Sequence, residues 1–220
     1  MFGLFLFALQ ASSFKLYPSE QLFTYDHIND LLKQIKEIVT LTPVGEAFHK
    51  WFLFLGEKHH ESGNTLELAK RVHQYLTEMG IYSYIDKTGN VIAKINATKG
   101  REFAASTLLQ SHLDQVDTRK GSDLEKPIYN VIEGDRLVGY NSSNGADGTL
   151  GDAMMLAIAE YAHTFNHGPI ELFFSVDEET SFVGVLTLNG TEFMSKYYIC
   201  LDAAQMDLLL IGAAGAVDLL

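Results

Sequence analysis

The chain has 220 residues with 47% hydrophobic and 20% charged positions, enough to bury a substantial core in one soluble domain. Its 28 acidic residues outnumber 16 basic ones, a net charge of −12 that repels phosphate backbones and anionic membrane surfaces and so argues against nucleic acid as a partner. A single cysteine, Cys200, excludes an internal disulfide framework; in the apolar run Tyr197–Leu201 it reads as a core residue.

Residues 1–13 form a short apolar run with Leu4, Phe5, Leu6, Phe7, Ala8 and Leu9 at its centre. It is too short to span a bilayer, so no membrane span is expected. Ala11-Ser12-Ser13 supplies small residues at a cleavage point, although no basic residue precedes the run. Sequons at Asn96, Asn141 and Asn189 lean the same way, towards a secreted rather than a cytoplasmic chain. Residues 14–220 are then the folded domain.

Between Tyr25 and Phe54, Ile28, Leu31, Leu32, Ile35 and Ile38 recur at helical spacing. Thr65 stands as a cap before a second amphipathic helix through Leu66, Leu68, Ala69, Val72, Tyr75, Leu76 and Met79, which Gly80 ends. The period then shortens: Ile81–Ile85 and Val91–Ile95 flank the turn Lys87-Thr88-Gly89-Asn90 and are expected to pair. Strands follow at Ser106–Ser111, Arg136–Tyr140, Ile170–Val176 and Tyr197–Leu201, with a helix at Asp152–Phe165. Alternating strands and helices predict an α/β fold, a layered mixed sheet with helices on both faces.

Polar chemistry collects at the carboxyl ends of the predicted strands, where open α/β sheets carry their sites. His112-Leu113-Asp114 follows one strand, Asp177-Glu178-Glu179 another, and Asp202 a third, while Asp147 lies in the glycine-rich loop Asn144–Gly148. Carboxylates held this close repel one another unless a cation joins them. One imidazole among carboxylates suits zinc, whereas calcium favours oxygen alone. Each residue taken singly also has a plainer reading: Asp147 as a helix cap, Glu178-Glu179 as surface charge, the histidine as a packed or solvated side chain.

The segments Gln110–Asp114, Gly145–Gly148, His167–Glu171, Glu178-Glu179, Leu201-Asp202 and Ile211–Gly215, in that order, resemble the aminoacyl-histidine dipeptidase family, co-catalytic zinc exopeptidases related to the carnosinases. The resemblance implies that His112 and Asp202 bind one zinc, Glu179 the other, and Asp147 bridges the two. It implies Glu178 as general base and Asp114 as the residue that holds the ligand shell beside His112. Manganese or cobalt would suit the same donors, and the substrate would be a dipeptide or small peptide. His167 precedes its strand and is read as structural; Gly212 and Gly215 are read as lining a tight backbone path; Asp152 is read as a helix-start residue.

Family members continue beyond this length into a lid or dimerisation domain and a last histidine ligand. The sequence ends at Leu220, so the expectation is an incomplete catalytic domain with one well-made and one poorly made metal site. The alternative is a non-catalytic metal-binding or protein-interaction module built on the same fold.

Overall fold

A computed structural model describes residues 25–116, 127–140, 142–189, 191–202 and 211. The apolar run 1–13, the sequon at Asn141, and Gly212 and Gly215 lie outside the described residues.

The first predicted helical stretch is two helices, α1 (Tyr25–Ile38) and α2 (Pro43–Leu55). The break has a local cause. Thr42 is extended and its hydroxyl accepts the Gly45 N–H at 3.1 Å, while Pro43 opens α2, where its missing N–H costs nothing. Helix α3 (Leu66–Glu78) follows Thr65, which makes no side-chain capping bond. It ends as expected: Gly80 takes φ 75°, and its neighbour Ile81 donates back to Leu76 O at 2.9 Å.

Strands β1 (Tyr82–Ile85) and β2 (Val91–Ile95) pair antiparallel. Their turn is pinned by Asp86 Oδ1, which accepts the N–H groups of Thr88, Gly89 and Asn90 at 2.8–3.0 Å. Strand β3 (Thr107–His112) runs one residue further than its apolar pattern suggests. A two-stranded hairpin, β4 (Asn130–Glu133) with β5 (Arg136–Gly139), adds a strand that sequence patterning did not reveal.

Helix α4 (Ala146–Tyr161) is kinked at Asp147 and Gly148, which have non-helical angles, so its regular turns begin just after them; a short 3-10 turn, Ala162–Thr164, follows it. Asp152 lies in the first regular turn of α4 after this kink, as its helix-start reading expects, but it is 1% exposed. Strand β6 (Ile170–Ser175), the one-turn helix α5 (Val183–Leu186) and strand β7 (Tyr197–Cys200) complete the elements.

The main sheet has the order β1-β2-β6-β3-β7. Strands β6, β3 and β7 are mutually parallel, so their carboxyl ends share one rim, with His112 in register with Ser175 and Gln110 with Cys200. Alternation divides the side chains between two faces. Val91, Ala93, Leu109, Leu172 and Phe174 point into the main core with α1–α4, whereas Ile92, Leu108 and Phe173 meet Leu188 and Phe193 from the segment after α5. The layers are thus unequal: four helices on one face, α5 and its following loop on the other.

Cys200 departs from its core reading. All four residues of β7 are exposed, Cys200 with them, because β7 is the last strand of the sheet among the described residues. Among the described residues no helix is long and apolar enough to cross a membrane.

Candidate metal centre

The rim where β3, β6 and β7 end gathers the residues singled out from sequence. His112, last residue of β3, is fully buried, and its Nε2 lies 3.2 Å from Asp147 Oδ1, 3.3 Å from Asp202 Oδ2 and 3.9 Å from Glu178 Oε2. Two triads of donor atoms lie within 4.8 Å of one another: His112 with Asp147 and Asp202, and His112 with Glu178 and Glu179. Asp147 is not a cap; its side chain is 68% exposed and faces His112.

The loop conformation that delivers Asp147 depends on glycine. Gly148 has φ 68°, and a Cβ there would stand 2.4 Å from His112 O and 2.7 Å from the ring Cε1. Only a residue without a side chain lets α4 begin against the imidazole. Ser111 Oγ donates to Gly148 O at 2.6 Å, and Gln115 Nε2 donates to Thr149 Oγ1, so the start of α4 is tied to the end of β3 on both sides.

Asp114 is also fully buried and its carboxylate is fully engaged. Oδ1 accepts the Glu178 N–H at 3.1 Å; Oδ2 accepts the Glu179 N–H at 3.1 Å and the Ser62 hydroxyl at 2.7 Å. The backbone carbonyl of Asp114 receives His112 Nδ1 at 2.9 Å, with the carboxylate further off at 3.5 Å. This leaves Nε2 directed at the acids. Asn90, also buried, fixes the other side of the same rim: its Oδ1 accepts the Val176 N–H at 3.0 Å and its Nδ2 donates to Gly184 O at 2.9 Å.

Electrostatics follow from this crowding. Burial would lower the His112 pKa, but its bonds to Asp114 and Asp202 win and raise it to about 12. Burial acts against the Asp114 carboxylate too, yet His112, Ser62 and two backbone amides hold it well below the usual range. Glu178 and Glu179 are both shifted upward, first by burial and then by neighbouring acids. Asp152 is pushed up by burial, and its Oδ1 has no hydrogen-bond partner.

The donors fit a divalent ion. Two ligands each about 2.0–2.1 Å from a tetrahedral zinc stand about 3.3 Å apart, and His112 Nε2 lies 3.2 and 3.3 Å from the two aspartate oxygens. Repulsion between Asp147 and Asp202 supplies the electrostatic reason for a cation.

Sequence reasoning missed the loop between α2 and α3. Ser62 reaches Asp114, and the Gly63 N–H reaches Asp177 Oδ1 at 2.6 Å; nothing in a polar, turn-rich stretch signals such partners. His167 stands at the opposite rim, where its Nδ1 meets Gly168 O and its backbone pairs with Thr98. A cleft of about 310 Å³ there, lined by Leu109, Ile158, Phe165 and His167, holds none of the clustered acids.

The backbone fold that brings these strand ends to one rim is shared with peptidase domains of known structure, and the resemblance to the aminoacyl-histidine dipeptidases holds in three dimensions. Among curated proteins it is 28% identical over 163 residues to the cytosol non-specific dipeptidase of Escherichia coli, covering 72% of this chain and 33% of that one. The crystal structure of aminoacylhistidine dipeptidase from Vibrio alginolyticus superposes with a TM-score of 0.67 at 28% identity, covering 77% of this chain and 34% of that one. Aminopeptidase PepT from Bacillus cereus gives 0.63 at 25%, covering 72% and 43%. The chain therefore spans about a third of the length of the two dipeptidases. No family model matches it.

Proposed function

We propose that residues 14–220 form the metal-binding part of a hydrolase that cleaves dipeptides or small peptides, with Glu178 as general base. The observation that carries this reading is the position of His112 Nε2 between the Asp147 and Asp202 carboxylates, in a chain similar to dipeptidases. His112, Asp202 and Asp147 would hold one ion, and Asp147 with Glu179 would hold a second less firmly. Zinc suits this mixture best, and manganese or cobalt fits the same oxygens.

When bound, such a pair supplies a more acidic water and a polarised peptide carbonyl. The chain supplies the rest. Glu178, 3.9 Å from His112 Nε2, stands close enough to the centre to accept a proton at its carboxylate and return it to the departing amine nitrogen. Burial raises its pKa, the charge of His112 opposes that, and Asp202, Asp147 and Asp114 add to the rise. Asp114 keeps His112 Nδ1 and the Glu178-Glu179 turn in one frame. The secretory reading of residues 1–13 gains nothing from the Escherichia coli relative, which is named as a cytosolic protein.

The test is to load the purified chain with zinc and assay several dipeptides beside Glu178→Gln. Expected is slow turnover that falls by about a hundredfold or more in the variant. Retained zinc without turnover would instead favour a non-catalytic metal-binding module.

A further inference from the structure

The turn that carries Glu178 and Glu179 is gripped by residues outside the ligand set. Asp177, which opens it, has φ 58°, a left-handed conformation that side chains rarely adopt. Its carbonyl accepts the N–H groups of Ser181 at 3.2 Å and Phe182 at 2.8 Å, so the chain reverses direction within a few residues. Its Oδ1 accepts the Gly63 N–H at 2.6 Å. One residue earlier in that loop, Ser62 Oγ donates to the Asp114 oxygen that also receives the Glu179 N–H. Three loops thus close a ring of bonds: turn to Asp114, Asp114 to Ser62, and Gly63 back to the turn.

We propose that Asp177 and Ser62 are positioning residues that fix Glu178 by clamping its turn to the loop between α2 and α3; this rests on the reading of Glu178 as the base. Glycine would adopt the conformation of Asp177 with less strain. What aspartate adds is the carboxylate, and that carboxylate bonds to Gly63. A base that must meet a proton at hydrogen-bond distance needs its backbone held within a fraction of an ångström, which the polar loop ends alone do not provide.

The experiment uses the zinc-loaded 220-residue chain and compares Asp177→Gly, Asp177→Asn and Ser62→Ala with wild type. In Asp177→Gly the amides of Gly63, Glu178 and Glu179 should exchange with deuterium faster by roughly tenfold, the scale of one lost bond to a charged acceptor. Turnover should fall through kcat with KM within about twofold, and retained zinc should not change. Asp177→Asn keeps an acceptor and tolerates the backbone angle, so it should restore both exchange protection and kcat; Ser62→Ala should show a milder loss of the same kind. Unchanged exchange in Asp177→Gly, or faster exchange with kcat intact, would overturn the proposal. A wild-type chain without turnover sinks the base reading instead, and the exchange measurements then decide whether the clamp exists.

Discussion

The Nδ1 of His112 bonds to the backbone carbonyl of Asp114 at 2.9 Å, while the carboxylate of Asp114 serves Ser62 and the amides of Glu178 and Glu179. The orientation of the imidazole therefore rests first on the carbonyl of Asp114, with its carboxylate 3.5 Å away, and that of the base turn on the carboxylate. Asp114→Ala keeps the carbonyl, so its zinc affinity should fall less than that of Asp202→Ala, while turnover should drop by about 10–100-fold, the usual effect of a group behind the ligands. Zinc titration of the two variants checks this; an equal loss of affinity would show that the carboxylate, not the carbonyl, orients His112.

Asp147→Ala should lower metal content more than Glu179→Ala. Asp147 Oδ1 lies 3.2 Å from His112 Nε2 and is read as serving both ions, whereas Glu179 serves one. Elemental analysis after dialysis measures the difference, and equal losses would argue against a bridge.

Much of this site was legible because its residues stand at the ends of apolar strands. His112 and Asp202 follow runs whose alternation and β-branched or aromatic content mark them as strands, and parallel pairing of β3, β6 and β7 then brings those ends to one rim. The glycines around Asp147 signalled a special loop but not its geometry, a kink at Asp147 and Gly148 ahead of the regular turns of α4. Cys200 was misread because apolar character identifies a strand without saying whether anything covers it. The Ser62 and Gly63 contacts were invisible, since they join residues 52 and 114 positions apart through a polar loop that carries no periodicity.

Gly148→Ala should damage the centre without replacing any ligand. A methyl group there meets the backbone and ring of His112 at 2.4–2.8 Å, and the backbone angle of 68° is itself unfavourable for alanine. A loss of about 2–3 kcal/mol in unfolding free energy is expected, together with weakened zinc binding. Denaturation of the metal-free variant beside wild type tests this, and an unchanged midpoint would mean that the loop relaxes freely.

His60 gives a pH dependence separate from the ligands. It is 4% exposed, its Nε2 has no hydrogen-bond partner, and burial, followed by the charges of Arg71, Lys58 and His59, lowers its pKa from 6.5 to about 4. Between those values the unfolded chain binds a proton that the folded chain refuses, so stability falls as pH drops through that window and is unaffected by this group above it. The fall attributable to His60 is about 3 kcal/mol by pH 4. With chelator present, the stability of His60→Gln relative to wild type should rise by that amount between pH 7 and 4; parallel profiles would contradict the assignment.

The most direct measurement is zinc binding by the purified chain, followed by calorimetry at neutral pH, beside His112→Ala and Asp202→Ala. Three donors at ligand spacing predict about one tightly held zinc in the wild type, with that tight phase lost in both variants. Zinc bound equally well by all three proteins, or not bound tightly by any, would contradict a metal centre at His112, Asp147 and Asp202.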